Sequence, residues 1–345
     1  MIWLTALLLT PPAAPPSIAE IPEPAEFGDW IVVCNNIRDC EAIAAKPDIA
    51  TGSNWTLRTE RGAGSLDEPT VSAAPSFDFY DKPTTIRIDG RNSTFAFDAS
   101  GYLTSNPIPF LKAIARARSA QVIGPDGEVF GDLPVTGASA GLRWIDDQQK
   151  RVGTVTAIVA NGTRPASAVP PTPRIPSIAQ PNPSDAPART LGKEAIAAVK
   201  EAGECSTAPG EAEFYRLDKD HSVGIIPCML GAYQASAIIV IVDEAGDWSF
   251  APIEQPRELS ISYRPVEPWM YAGITTADYA PATRMLYEFA KGRGLADCGQ
   301  SASWAWDGEM FRLASFNEMR ECRGTPPGDW PSLWVTENAQ MRAAD

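Results

Sequence analysis

A serine sits in a pattern that hydrolases use. The stretch "GASAG" at residues 137–141 matches G-x-S-x-G, which holds a nucleophilic serine on a sharp turn between a strand and a helix. Such a serine, here Ser139, needs a histidine base, and the only histidine, His221, lies in the distant polar stretch "DKDHSVG". The simpler interpretation is that Ser139 caps the following helix. We assign no catalytic residues, and an envelope hydrolase using Ser139 is the alternative to a non-catalytic protein.

Acidic residues and cysteines do not form a recognisable metal site. The stretches "WIDDQQ" and "VDEAGDW" are carboxylate-rich, and an exposed helix edge and a turn explain them. Calcium loops need a D-x-[DN]-x-[DN]-G spacing, which the chain lacks around His221. The usual zinc pairs, C-x₂₋₄-C, are also missing. We expect neither a metal nor a cofactor.

Six cysteines favour disulfides rather than redox chemistry, because the chain contains no C-x-x-C motif. An even cysteine count is typical of exported proteins. Sequence alone leaves fifteen pairings open, and chain locality favours Cys34–Cys40, Cys205–Cys228 and Cys298–Cys322.

The stretch "CNNIRDC" at residues 34–40 follows an apolar run. Its spacing predicts a short staple at the end of the first strand. The loop carries polar side chains that could also present a binding edge, namely Asn35, Asn36, Arg38 and Asp39.

The chain contains ten tryptophans, and two of them, Trp304 and Trp306, fall on the same face of one predicted strand. Aromatic platforms bind sugars, so both are candidate ligand-binding residues. The alternative is that they fill the core, as tryptophans in β domains commonly do.

Composition narrows the class of protein. The 345 residues are 44% hydrophobic and 21% charged, which predicts a folded chain with sizeable cores. The net charge of −14 argues against a nucleic-acid partner and against electrostatic docking on anionic lipid. Residues 1–19 resemble a signal peptide, and no apolar run after them is long enough to span a membrane. We therefore expect a periplasmic or secreted protein.

A proline-rich stretch at residues 163–190 predicts a linker between two domains. The first domain covers residues 20–162 and the second 191–337, with a tail at 338–345. In the first, "GDWIVVC", "NWTLRTERG", "TTIRIDG" and "VGTVTAIVA" predict strands, and "PIPFLKAIARAR", capped by Ser105 or Asn106, predicts a helix. In the second, a helix over "LGKEAIAAVKEAG" precedes strands, and "SWAWDGEMFRLA" predicts a hairpin with a type I′ turn at Asp307-Gly308.

These elements predict a mainly β (α+β) fold. It comprises two antiparallel, sandwich-like β-rich domains, each with one or two helices.

Several blocks resemble a known family. "DWIVVCNNIRDC", "GLRWIDDQQKRVGTVTAIVA", "PCMLGAYQ", "KGRGLADCGQSASWAWDGEMFRLASFNEMRECRG" and "DWPSLW" resemble a secreted proteobacterial family known as domain of unknown function eleven-seventy-six. The chain departs from its pattern at Asn35, where we expect Asp, and at Gly141, where we expect Ala. The second departure suggests that the G-x-S-x-G match is accidental.

The first domain also resembles the invasion-associated locus B proteins of alphaproteobacteria, through "FGDWIVVC", "TIRIDG" and "VTGASAGLRWID". That resemblance implies an envelope-located binding or stress role. Together the patterns favour a non-catalytic protein that binds an envelope protein or a cell-wall glycan.

Overall fold

The structure is a computed structural model that describes residues 21–46, 55–75, 80–206, 208–256 and 273–340. The predicted signal peptide lies outside these residues. The named strands pair antiparallel in four sheets, with few helices between them. The prediction of a mainly β, antiparallel fold is therefore confirmed. No helix within the described ranges is long and apolar enough to cross a membrane.

The first half of the chain contains two sheets. Five strands pair in chain order: β1 (Ala25–Phe27), β2 (Trp30–Cys34), β3 (Cys40–Ala44), β4 (Trp55–Arg61) and β5 (Thr70–Pro75). Four more form the second sheet: β6 (Thr84–Ile88), β7 (Arg91–Phe97), β8 (Ala120–Ile123) and β9 (Val129–Leu133). Their order is β7-β6-β8-β9.

Two helices, α1 (Pro107–Ile114) and α2 (Ala138–Gln148), pack against these sheets around one core. Asn106 caps α1, because its Oδ1 accepts a hydrogen bond from the Ile108 N–H at 2.9 Å. The helix α2 begins differently. Its cap is Gly137, which has a φ of 94° and approaches the Phe27 carbonyl too closely for a side chain. The prediction that Ser139 caps α2 is wrong.

The predicted closing strand "VGTVTAIVA" is also wrong, because residues 151–162 form a loop. The backbone N–H groups of Ile158, Val159 and Ala160 donate to the carboxylate of Asp146 on α2, at 2.6, 2.9 and 2.9 Å. A side chain therefore takes the hydrogen bonds that a neighbouring strand would otherwise supply.

The second half contains a sandwich. It opens with helix α3 (Lys193–Ala202), followed by β10 (Glu213–Arg216), β11 (His221–Leu230), β12 (Ala235–Asp243), β13 (Trp248–Phe250) and β14 (Ile274–Thr275). The strands of the facing sheet are β15 (Asp278–Ala280), β16 (Met285–Lys291), β17 (Gly299–Trp306), β18 (Phe311–Met319) and β19 (Ser332–Val335). Short 3₁₀ turns lie at Ala166–Ala168 and Pro327–Asp329, and α4 (Glu337–Gln340) ends the described chain.

Strands β10–β13 pair in chain order, and β14 joins through β12. Strands β15–β19 also pair in chain order. Apolar side chains of β11 and β12 pack against those of β16–β19 in the sandwich core. Helix α3 covers the outer face of the β10–β14 sheet.

The predicted hairpin of β17 and β18 is present, but its turn is longer than a two-residue type I′ turn. Trp306 pairs with Phe311, which leaves four residues in the loop. The Asp307 carboxylate accepts hydrogen bonds from the N–H groups of Glu309 and Met310, at 2.9 and 2.8 Å, and stabilises this wider turn.

The two halves pack against each other through the sheet of β1–β5. All five residues of β2 are buried, since one face meets the first core and the other meets the second half. On that second face, Ile31 and Ile43 cluster with Met319 and Trp330. This burial on both faces explains why "WIVV" is a continuous apolar run rather than an alternating one.

The proline-rich segment 163–190 has few regular elements and lies along the second half. The Asn338 side chain exchanges two hydrogen bonds with the backbone of Ile178, at 2.8 and 3.0 Å. Further along, Gln180 donates to the Arg284 carbonyl at 3.1 Å. The segment is thus hydrogen-bonded to the β15–β19 side of the sandwich.

Candidate functional site

A cleft of about 350 Å³ lies on the outer face of the β15–β19 sheet. Its polar lining is mostly uncharged. The polar residues that line it are Thr276, Asp278, Tyr287, Glu288, Ser301, Ser303, Ser315 and Asn317. Phe289 and Ala339 add apolar surface.

Strand register brings these groups together. In the ladder, Ser301 pairs with Phe289 on one side and Asn317 on the other, and Ser303 pairs in the same way with Tyr287 and Ser315. Side chains that are directly opposite share a face of the sheet. The alternating residues, such as Ala302 and Phe316, point into the sandwich core. The period-two spacing of small polar residues in "GQSASW" and "ASFNE" was a usable signal that sequence reasoning missed.

The cleft wall is a hydrogen-bonded array of hydroxyls. The Ser303 and Ser315 hydroxyls lie 2.6 Å apart, and the Asn317 amide donates to the Ser301 hydroxyl at 3.2 Å. Each hydroxyl can donate and accept, so the array can rearrange around a ligand that does the same. Phe289 stacks on Trp330 with centroids 5.4 Å apart, which fixes an aromatic ring beside this array.

Apolar packing closes one end of the cleft. Met285, Ala305 and Ala314 form a small buried cluster there. Ile178 of the proline-rich segment and Ala339 of α4 pack on it. A ligand in the cleft would therefore meet a wall at this end.

The cleft carries little charge. Asp278 at the rim is exposed. Glu288 also borders the cleft, but strand alternation turns its carboxyl to the opposite face from the Tyr287 side chain. There its carboxyl accepts hydrogen bonds from the Thr275 N–H at 3.2 Å and the Gln300 amide at 3.1 Å. Burial raises the pKa of Glu288 to about 7.

The "CNNIRDC" loop is bound by its own chain rather than presented to solvent. The disulfide joins Cys34 and Cys40, which pair directly across β2 and β3. The Asn35 side chain accepts from the Ile37 and Asp39 N–H groups at 3.1 and 3.0 Å, so it shapes the loop from within.

The other polar side chains of the loop contact parts of the chain outside it. The Asn36 amide exchanges two hydrogen bonds with the Val335 backbone, both at 2.9 Å. The Arg38 guanidinium donates to the Pro171 carbonyl, and the Asp39 carboxylate accepts from the Ala63 N–H at 2.8 Å. Burial raises the pKa of Asp39. The loop therefore connects the first sheet, the proline-rich segment and the last strand.

A buried polar network underlies this junction, and the sequence interpretation missed it. Asp146, expected on an exposed helix edge, is fully buried, whereas Asp147 is exposed. The Gln149 amide donates to the carbonyls of Arg38, Arg61 and Gly62 at 2.9 to 3.1 Å.

Two arginines complete the network. Arg151 donates to the carbonyl of Ser65 and the hydroxyl of Thr156, at 2.9 and 3.1 Å. Arg61 donates to the carbonyls of Asp67 and Thr156 at 2.9 and 2.7 Å. Burial, followed by the nearby charge of Arg151, lowers the pKa of Arg61 to about 10. Each group fixes backbone, so the network holds loops in place.

The two tryptophans proposed as ligand-binding residues are core residues. Trp304 and Trp306 are 1% and 3% exposed. Their indole N–H groups donate to the Glu254 carbonyl and the Asp218 carboxylate, both at 2.8 Å. The ligand-surface interpretation is wrong for both, because β17 turns these rings into the sandwich and their polar atoms are satisfied there.

The hydrolase alternative gains no assembled site. Ser139 is exposed in the first turn of α2, which packs on the first core. His221 begins β11 in the other half, where its Nδ1 lies 3.1 Å from Asp218 Oδ1. Asp218 also accepts from Trp306 and from backbone N–H groups; although burial raises its pKa, these hydrogen bonds outweigh that effect and lower it.

The three disulfides join the pairs that chain locality favours. They are Cys34–Cys40, Cys205–Cys228 and Cys298–Cys322. Asp297 lies beside the last pair in a grouping that could suggest a metal site. Its carboxylate instead forms two hydrogen bonds with Arg293, and the two sulfurs are bonded to each other. Disulfides persist outside the reducing cytoplasm, so the chain is a non-cytoplasmic protein.

Comparisons with known proteins agree with the sequence blocks. A family model described as Protein of unknown function (DUF1176) matches residues 25–337. The chain is 29% identical over 339 residues to "Uncharacterized protein YpfG" of Escherichia coli (strain K12), covering 91% of this chain and 93% of that protein. No solved structure matches.

The resemblance of the first domain to invasion-associated locus B proteins finds no support among these matches. The family match, in contrast, spans both halves of the fold and the cleft. On that basis the chain belongs to the DUF1176 family.

Proposed function

We propose that this protein is a periplasmic or secreted, non-catalytic binding protein that holds a neutral cell-wall glycan in the cleft of the β15–β19 sheet. The apolar run at residues 2–9 and the small residues before position 20 support export. The three disulfides support an oxidising compartment.

The hydroxyl and amide array of the cleft carries the proposal. Ser301, Ser303, Ser315 and Asn317 present groups that both donate and accept hydrogen bonds, as sugar hydroxyls do. Phe289, fixed by stacking on Trp330, adds the apolar surface on which the C–H face of a sugar ring can pack. A pocket that combines a few placed polar groups with an aromatic wall is typical of small-ligand sites.

Charge supports a neutral glycan over an acidic one. The rim carboxylate of Asp278 repels anions, and no arginine or lysine is among the residues that line the described cleft. The net charge of −14 adds to this repulsion.

Calorimetric titration of the full chain with oligosaccharides of N-acetylglucosamine tests the proposal. The double variant Ser301→Val, Asn317→Leu removes two polar groups from the cleft wall. We expect it to weaken binding about tenfold or more, since each lost hydrogen bond costs on the order of 1 kcal/mol and leaves a sugar hydroxyl unpaired. Thr70→Val, at an exposed position of β5, is the matched control and should bind like the parent chain.

No binding by the parent chain, or equal binding by the double variant, would refute the glycan proposal. An envelope protein is the other partner class that the sequence favours. Crosslinking in native periplasm that captures one specific protein, together with a silent glycan titration, would replace the glycan with that protein.

A further inference from the structure

Exposed apolar side chains gather at one end of the sandwich, on the tips of two neighbouring hairpins. The hairpin of β11 and β12 carries Met229 and Leu230 at the end of β11 and Tyr233 in its turn, and these side chains are 50%, 56% and 50% exposed. The turn between β16 and β17 carries Leu295, which is 60% exposed. We call these four side chains the tip patch.

The two tips are in contact. The Tyr233 hydroxyl donates to the Gly292 carbonyl at 3.4 Å. The Gln234 amide donates to the Phe289 carbonyl, and its oxygen accepts from the Lys291 N–H, both at 2.7 Å. Side-chain bonds therefore tie the first turn to the edge of β16, so the tip patch spans both hairpins.

Disulfides fix both tips. Cys228, directly before Met229, is bonded to Cys205, and Cys298, three residues after Leu295, is bonded to Cys322. Within the second tip, the Arg293 guanidinium donates two hydrogen bonds to the Asp297 carboxylate, at 2.6 and 2.5 Å. Rigid loops keep these apolar side chains in water instead of letting them fold back on the protein.

Shape and residue type indicate what the tip patch contacts. Side chains on hairpin tips protrude from the protein. Protruding apolar groups can insert into a deformable surface such as the interfacial region of a lipid bilayer. Leucine and methionine suit the acyl boundary of a bilayer, and tyrosine is enriched at the membrane interface. Lys291 ends β16 at the base of the second tip, and a lysine there can extend its ammonium group toward lipid phosphates.

We infer that the tip patch inserts into the interfacial region of a phospholipid bilayer and makes this protein a peripheral membrane protein. The overall charge of −14 opposes adsorption by electrostatics alone. Attachment therefore depends on the apolar tips, and it persists when salt is raised. The inference is independent of the glycan cleft, because the tip patch shares no residue with the cleft lining.

Cosedimentation of the full chain with vesicles of phosphatidylethanolamine and phosphatidylglycerol tests the inference. The test variant is Met229→Ser, Leu230→Ser, Leu295→Ser, which keeps Tyr233 and its bond to Gly292. We expect the bound fraction to fall about tenfold or more, as buried apolar area determines partitioning. The matched control is Leu66→Ser, Val155→Ser, which changes two side chains that are 75% and 58% exposed in the first half.

The inference requires that the parent chain and the control pellet with vesicles at high salt while the test variant stays in solution. Vesicle binding that is absent in the parent chain, unchanged in the test variant, or equally lost in the control would overturn it. Size-exclusion chromatography of the same samples without lipid tests whether the tip patch instead binds a second copy of the chain. A parent dimer that the test variant converts to a monomer, without any vesicle binding, would assign the tip patch to self-association instead.

Discussion

At the scale of single residues, Glu288 is a carboxyl whose buried surroundings disfavour its charged form. Its carboxyl is buried in the sandwich and has only neutral partners, the Thr275 N–H and the Gln300 amide. Its pKa is therefore raised to about 7. Since the unfolded chain loses this proton at lower pH, the folded state is favoured while Glu288 is protonated.

This residue predicts a pH dependence of stability. The Glu288 contribution is fully present below the usual glutamate pKa of about 4.5, and it is lost as pH rises through about 7, by roughly 3 kcal/mol in total. Glu288→Gln should remove that loss, so the variant gains stability relative to the parent at about pH 8 but not at about pH 4. Urea unfolding at both pH values measures this. Glu309→Gln, at an exposed position, is the control and should match the parent throughout.

At the scale of elements, one helix side chain organises a loop. Asp146 on α2 takes the N–H groups of residues 158–160, and Gln149 and Arg151 hold the loop that follows β4. Within the described ranges these loops pair with none of the named strands, so many of their backbone groups bond to side chains.

Asp146→Asn should destabilise the fold by about 3–5 kcal/mol, because a buried carboxylate with three backbone donors becomes a neutral group with one acceptor oxygen. Hydrogen exchange at residues 152–162 should accelerate first. The neighbouring Asp147→Asn is the control, since Asp147 is exposed and should change stability by less than about 0.5 kcal/mol. Equal effects of the two substitutions would contradict this account.

The same loop shows where sequence reasoning stops. The hairpin of β17 and β18, the α1 cap at Asn106 and the local cysteine pairs follow from patterns a few residues long, and the structure has them. The burial of Asp146, the exclusion of "VGTVTAIVA" from the sheets and the burial of Trp304 depend on which distant elements meet. Local propensity carries no information about that. The cleft was partly predictable. The alternation of polar residues on its strands is a local pattern, but its closed end depends on Ile178, which is distant in sequence.

At the scale of the whole molecule, the halves share an interface that the proline-rich segment alone would not provide. Ile43 of β3 clusters with Trp330, and Arg58 of β4 is paired with Asp329 at 2.8 Å. The prediction of two domains, 20–162 and 191–337, is untested by this packing and stays a prediction. The packing does indicate that the two regions depend on each other energetically.

Calorimetry of the full chain should therefore show one unfolding transition. Ile43→Ala, which leaves a hole in the shared interface, should lower the temperature of that whole transition, consistent with a loss of about 2–4 kcal/mol. Thr70→Ala on the exposed edge of β5 should leave the curve in place. Two resolved transitions, of which Ile43→Ala moves only one, would show that the halves unfold independently.

The hydrogen bonds between Asn36 and Val335 also have a consequence for the order in which the chain folds during synthesis. A chain made from its N-terminus forms β2 and β3 early, yet the partners of Ile31 and Ile43 from the second half lie between residues 289 and 330. Until those residues arrive, the newborn first half carries a bare apolar sheet face, which is the kind of surface that aggregates or recruits a chaperone. Truncated or stalled chains should therefore be the species that aggregate. Completion of the C-terminal strands covers the apolar face of the N-terminal half and prevents this.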